Sequence, residues 1–219
     1  MAIELFWLSG SPFAWRVMLG LEVKGLAYQA RKLERSKGET RSPEFLAINP
    51  RGQVPVLRDG DVTVRESVAI LAYLDRQYPE PPLFGRTGAE AAAIWQEVME
   101  SVLFLDRFDD FVLPMFFGEG AAKERQVLAV IPIIEAELDR LQRTLEARSW
   151  LAGPTLSAAD IAAYPMVRSL LRAAEKPDAA RFQQGFLRLR ESHPAVGAWM
   201  ARIEALPNYD RTFPPHWKQ

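Results

Sequence analysis

No cysteine occurs among the 219 residues of this sequence. That excludes disulfide frameworks, zinc–thiolate sites and cysteine nucleophiles, and it fits a reducing compartment. Histidine is nearly missing as well, with His193 and His216 the two in the chain. A histidine-based metal site and a Ser-His-Asp triad are therefore not expected, and "HPAV" at His193 reads as a helix entrance. Neither sign of charge dominates, since 27 Lys and Arg stand against 28 Asp and Glu. With no basic run interleaved with aromatics, neither nucleic acid nor an anionic membrane is expected as a partner. No apolar run approaches the roughly 18 residues needed to span a bilayer. The start, "MAIELFWLSG", lacks a basic segment, so no secretory leader is expected. Repeats and low-complexity segments are absent too.

What is present is ordinary for a soluble globular protein: 48% hydrophobic and 25% charged residues in a chain long enough for one or two domains. The first eighty residues alternate strand and helix signals. "IELFWL" is a short apolar run that predicts a buried strand, Ile3 to Leu8. Ser11-Pro12 opens a helix carrying Phe13, Val17 and Leu21 on one face, and Gly25 stops it. "LAYQARKL", Leu26 to Leu33, predicts a second strand, and Glu34 to Thr40 a loop. Ser42-Pro43 starts a short helix that Asn49-Pro50 ends. "VPVLRDGDVTV" predicts two strands around Asp59-Gly60, and "SVAILAYLDRQY", Ser67 to Tyr78, an amphipathic helix. The order βαβ, α, ββα makes a mixed sheet packed on helices.

"YPEPPLFG" is too dense in proline to continue that helix. The expected division is therefore residues 1–78, a linker at 79–87, and an all-α domain at 88–219. Ile94, Val98, Val102, Leu105 and Phe108 form one stripe. Val127, Ile131, Ile134, Leu138, Leu141 and Leu145 form the seam of a long helix with Pro132 inside it, where a kink is expected. Ala158 to Ala174 is another helix. Pro194 opens a last one, with Val196, Trp199, Ile203 and Leu206 inward. Ser157 and Asp160 read as a structural capping box, whose loss should cost roughly 0.5–2 kcal/mol of stability and no activity.

Three stretches carry possible chemistry. In "LSGSPFAWRV", Ser11 precedes a proline that favours the first helical position, so it caps the helix. A helix N-terminus also presents free N–H groups and partial positive charge, which stabilise an anion such as a thiolate. Ser9 competes for that role. In "GQVPVL", Pro55 stands at a strand start, where an X-Pro bond is either a plain strand-start trans bond or a cis bond that frees the Val54 backbone for an extended ligand. In "RES", Ser67 is a natural N-cap whose hydroxyl, with the N–H groups after it, suits a carboxylate, and Glu66 suits an ammonium, the two charges of an α-amino acid.

Together, "SPFAWRV", "NPRGQVPVL", "VRESVAILAYL", the proline linker and "LAGPTLSAADIAAYP" resemble the cytosolic glutathione S-transferase superfamily along essentially the whole chain. The resemblance implies a thioredoxin-like N-terminal domain (βαβ-α-ββα) followed by an all-α C-terminal domain. It is nearest to the serine-type tau and zeta patterns. It implies that Ser11, with Ser9 as fallback, hydrogen-bonds the glutathione thiolate. Val54, before Pro55, would pair with the cysteinyl part of glutathione, and Gln53 would meet its backbone. Glu66 and Ser67 would hold the γ-glutamyl amino and carboxylate groups. Arg41, with Lys37 as a substitute, would meet the glycine carboxylate. Phe13, Phe108, Phe111, Met115 and Phe116 are candidate walls for an apolar second substrate, and "TFPPHWKQ" a candidate cover.

The implied reaction is attack by the glutathione thiolate on a small hydrophobic electrophile or a peroxide, with glutathione as co-substrate and no metal. A glutathione-dependent isomerase or dehalogenase and a non-catalytic binding or interaction member are the alternatives. The zeta "SSCS" run is absent, with Phe13 and Ala14 in its place, and no cysteine marks an omega- or beta-like site. A cytoplasmic homodimer is the family expectation.

Overall fold

The computed structural model describes residues 3–182 and 185–217. Contacts divide the chain into two compact units, Met1–Phe84 with Leu206–Gln219, and Gly85–Ala205.

The first unit is built on four strands, β1 (Ile3–Trp7), β2 (Tyr28–Lys32), β3 (Val56–Asp59) and β4 (Val62–Arg65), in the order β2-β1-β3-β4. β1 runs parallel to β2 and antiparallel to β3, and β3 and β4 form the hairpin predicted at Asp59-Gly60. The parallel crossover is α1 (Pro12–Val23), capped by Ser11 and buried almost all round. That burial departs from the single apolar face read from the sequence. The segment after β2 is not a plain loop, because residues 35–37 and 39–41 each close a 3-10 turn. Ser42 caps α2 (Pro43–Ile48) as predicted, accepting from Phe45 N at 3.2 Å. α3 (Ser67–Gln77) packs on α1 against the sheet, with Ile70, Leu71 and Leu74 fully buried.

A buried cation organises the end of this unit. Lys24 Nζ donates to Asp75 Oδ1 at 3.0 Å and to the carbonyls of Tyr78 and Pro81 at 2.7 and 2.8 Å. Asp75 also accepts from the backbone N–H groups of Leu83 and Phe84, at 2.6 and 3.2 Å. The proline-dense segment is thus stitched to α1 and α3 by polar bonds. The unit is completed from the far end of the chain. α10 (Tyr209–Thr212) and a final turn at Pro215–Trp217 surround Trp15 of α1. Trp15 Nε1 donates to Thr212 Oγ1 at 2.9 Å, and its ring meets Tyr209, Phe213 and Trp217 with centroids 5.5–6.3 Å apart. Trp217 keeps 9% of its surface exposed. Burying so large a ring removes about 150–250 Å² from water, an upper-bound gain of about 4–6 kcal/mol. Lys218 and Gln219 of "TFPPHWKQ" lie outside the described residues.

The second unit is helical, and its α4 (Gly88–Leu103) starts in a complete capping box between Thr87 and Glu90. The stripe expected to run on through Leu105 and Phe108 leaves that helix at a 3-10 turn, 105–108, before α5 (Asp109–Phe117). α6 (Glu124–Ala147) continues through Pro132 as one helix, and its buried seam takes Val130 where Ile131 was expected. α7 (Ala158–Ala174) is buried along nearly its whole length. α8 (Leu189–Ser192) leads into α9 (Pro194–Glu204), which ends before Leu206. Asp160 sits at the centre of this unit, fully buried. It accepts four bonds of 2.9–3.1 Å, from Leu151 N, Ser157 N, Ser157 Oγ and Trp199 Nε1. Burial pushes its carboxyl up, against the pull of those four donors. The capping box is therefore also an anchor for α9 and for the segment before α7. No helix among the described residues is long and apolar enough to cross a membrane.

Candidate active site

The turn between β1 and α1 places two hydroxyls differently. Ser11 N donates to Leu8 O at 3.1 Å, closing the turn, and Gly10 takes φ +85 within it. Ser11 Oγ accepts from Ala14 N at 3.3 Å. This is the cap read from the sequence, and it uses only a lone pair, so the hydroxyl proton stays available to an anion at the N-terminus of the twelve-residue α1. Ser9 Oγ instead lies 2.7 Å from His216 Nδ1. The fallback hydroxyl is engaged by the C-terminal segment.

A second wall comes from the loop between α2 and β3. The Val54-Pro55 bond is cis. Asn49, buried to 3%, shapes the approach to it. Its Nδ2 donates to Gln53 O at 2.7 Å and its Oδ1 accepts from Arg51 N at 3.2 Å. Gly52 is required between them. Its φ is +61, and a Cβ would stand 2.6 Å from Thr40 O and 2.8 Å from Arg41 Nη1. Arg41 Nη1 also donates to Arg51 O at 3.2 Å. Arg41 therefore braces this loop from the preceding 3-10 turn, a contact the sequence did not reveal, although the Asx turn in "NPRG" is a legible signal for Asn49. The side chain of Gln53 is exposed.

The third wall is the start of α3. Ser67 was read as its cap, but Glu66 holds that position and Ser67 is the first helical residue, 6% exposed. The reason is backbone geometry. Glu66 adopts φ +69 and ψ 122, which turns the chain into the helix one residue earlier. Such a conformation costs an L-residue of order 1–3 kcal/mol, and strain of that size concentrates at ligand sites. The Glu66 carboxylate is largely exposed and faces Arg51 Nη1 at 3.4 Å. An exposed acid and a buried hydroxyl thus stand next to each other above the free N–H groups of an eleven-residue helix.

The expected apolar wall does not hold together. Phe108 and Phe111 are fully buried and Met115 is 3% exposed. Phe111 packs edge-on against Phe182 and Phe186, with centroids 6.5 and 5.3 Å away. These three fill the core of the helical unit and present no surface to a ligand. Phe116 is half-buried, with Lys176 Nζ 5.6 Å from its ring centre. Phe13 is half-buried beside the Ser11 turn, with the Arg16 guanidinium 5.1 Å from its ring centre. Among the described residues no cluster of His, Asp and Glu is arranged to hold a metal ion.

Comparison with known proteins assigns the chain to a family. Residues 5–82 match the family model of the glutathione S-transferase N-terminal domain, and residues 103–207 that of the C-terminal domain. Glutathione S-transferase A of Pleuronectes platessa is 30% identical over 223 residues, covering 98% of this chain and 92% of its own. The crystal structure of a glutathione S-transferase from the Antarctic clam Laternula elliptica superposes with a TM-score of 0.84 at 29% identity, covering 100% of this chain and 95% of that one. A glutathione transferase family member from Pseudomonas fluorescens, solved with two glutathione molecules bound, superposes with a TM-score of 0.81 at 25% identity over 97% and 92% of the two chains. With a four-stranded mixed sheet, a helical unit and both family models matched in order, this chain is an enzyme of the cytosolic glutathione S-transferase superfamily.

Proposed function

We propose that the protein binds glutathione, lowers the pKa of its thiol, and directs the thiolate at a small apolar electrophile or a peroxide. The observation that carries this reading is the state of Ser11. Its oxygen caps α1 through Ala14 N, its proton is left for a thiolate, and the neighbouring hydroxyl, Ser9, is tied to His216. The α1 N-terminus adds its partial positive charge at the same place. A thiol lowered by one to three pK units corresponds to roughly 1.4–4 kcal/mol in favour of the anion. Ser11 is not a covalent partner. It donates a hydrogen bond, and the bound sulfur is the nucleophile that forms the new bond as the leaving group or peroxide oxygen departs with the electron pair.

The remaining roles follow the chemistry of the ligand. Glu66 receives the γ-glutamyl ammonium and Ser67, with the α3 N–H groups, its carboxylate. Val54, held before cis-Pro55, offers backbone groups to the cysteinyl residue, and Gln53 lies beside it. Arg41 is assigned to the glycine carboxylate, and Phe13, beside the Ser11 turn, is kept for the electrophile. Residues 1–78 take the glutathione-binding role and the helical residues from 88 on that of recognising the electrophile, except that 206–217 of the expected all-α domain pack on the first unit instead. Holding both reactants together removes an entropic barrier, and Ser11 stabilises the developing charge. A homodimer in the cytoplasm is part of this reading. Trp95, Met99 and Leu103, exposed at four-residue steps on α4, are an apolar face that a second copy would cover.

The test is ultraviolet titration of the thiol of bound glutathione in wild type, Ser11→Ala and Ser9→Ala. A depressed thiol pKa that Ser11→Ala returns to the free value, and Ser9→Ala at most part of the way, is the expected outcome. Glutathione bound with an unshifted thiol in wild type would sink the catalytic reading and leave a binding member of the family. Turnover screening then separates transfer to an electrophile from glutathione-dependent isomerisation or dehalogenation.

A further inference from the structure

Ser11 lies between two points that the same distant segment touches. Before it, Ser9 Oγ is 2.7 Å from His216 Nδ1, although the two residues are 207 positions apart. The imidazole also stands close over Gly10 of the turn, since a Cβ there would be 3.0 Å from His216 Cε1 and 3.3 Å from Nε2. After it, Trp15, whose N–H bonds Ser11 O at 3.0 Å, is enclosed by Trp217, Phe213 and Thr212. Trp217 in turn meets the His216 ring edge-on, with centroids 6.0 Å apart. The aromatic cluster anchors the segment, and the imidazole is the part of it that reaches the turn. A tail that merely packed on α1 would need only the tryptophans.

We infer that His216 is a positioning residue for thiol activation: it holds Ser9 and covers Gly10, and so fixes the place from which the Ser11 hydroxyl meets the sulfur. The inference rests on the glutathione reading given above and adds to it a residue more than two hundred positions away in sequence. The ring does not touch the reacting atoms. It acts through the turn, where a small displacement of a donor weakens its bond to the anion more than it weakens binding of the whole ligand.

The experiment measures the thiol pKa of bound glutathione, with kcat and KM for glutathione, in His216→Ala, His216→Asn, Ser9→Ala and the His216→Ala/Ser9→Ala double variant of the full chain, with thermal melts for each. His216→Ala is expected to raise the thiol pKa part of the way toward its free value and to lower kcat about threefold to tenfold, the loss of one hydrogen bond, with a smaller change in KM. His216→Asn, whose amide places a polar atom near the position of Nδ1, is expected to recover most of the pKa shift. Ser9→Ala is expected to match His216→Ala, and the double variant to be no worse than either single one. Ser11→Ala, run alongside, reports on the underlying reading alone. If Ser11→Ala restores the thiol pKa while His216→Ala lowers only the melting temperature, or if His216→Asn fails to recover the shift, the positioning role is overturned and the glutathione reading stands. If the wild-type thiol is unshifted, both fall together.

Discussion

Replacing Asp160 by alanine should destabilise the protein well beyond the loss of a helix cap, without touching chemistry. Ser157→Ala removes a capping hydroxyl and is expected to cost about 0.5–2 kcal/mol. Asp160→Ala removes the acceptor of four bonds. Three of the donors, Leu151 N, Ser157 N and Trp199 Nε1, are buried with it, and each such group left unpaired costs about 1–3 kcal/mol. Part of that sum is returned because a carboxylate that burial disfavours is no longer held in the interior. The net expectation is about 3–5 kcal/mol. For a chain of this length 1 kcal/mol moves the melting temperature by roughly 2–4 °C, which gives a fall of about 6–20 °C. Paired thermal melts of Asp160→Ala and Ser157→Ala measure the difference, and turnover at a temperature far below both transitions measures the folded enzyme. An Asp160→Ala loss no larger than that of Ser157→Ala would refute the role of the buried acceptor. A fall in kcat/KM of the folded variant would refute the claim that Asp160 is purely structural.

Two further substitutions separate binding from stability. Glu66→Gly relieves a backbone conformation costing about 1–3 kcal/mol while adding about 0.5–1 kcal/mol of chain entropy. The exposed ion pair to Arg51 contributes little. The melting temperature should therefore rise or hold while KM for glutathione rises several-fold, and a clear drop in melting temperature would contradict the strain argument. Tyr28 is pushed up to about 12 by burial first and by Glu22 next. The unfolded phenol loses its proton near 10 and the folded one near 12, so the stability this group contributes is full below pH 10 and is lost as pH rises toward 12. Urea unfolding at pH 9 and pH 11 should show a steeper loss for wild type than for Tyr28→Phe, and equal losses would show that the phenol is not protected.

The strand and helix order was legible because the apolar pattern changes period where the elements change, and because Ser11-Pro12 and Ser42-Pro43 mark helix starts in their own letters. The Ser11 turn and the Asp160 capping box were legible for the same local reason. Glu66 was not, since a positive φ at a non-glycine residue leaves no trace in side-chain type. The shift of the α3 cap from Ser67 to Glu66 follows from it. Phe108, Phe111 and Met115 show a different limit. Spacing says that a face is apolar, but it does not say whether protein or a ligand will cover it. Val130 and Ile131 of α6 both fit between Val127 and Ile134 at steps of three and four, so periodicity alone does not choose between them. The contact between Ser9 and His216 joins two ends of the chain that no local rule connects.

The enclosure of Trp15 has a consequence for the order of events during synthesis. The sheet strands and α1 leave the ribosome first, but the residues that close over Trp15 come only after 85–205 have been made. At 5–20 residues per second that interval is roughly 6–24 s. Throughout it Trp15, beside the Ser11 turn, lacks Thr212, Phe213 and Trp217 around its indole, and the whole second unit must be synthesised before the first is closed. Ribosome-stalled chains ending before Tyr209 should accordingly leave that face open to chaperones, and the Ser11 turn would be the last part of the first unit to reach its final form.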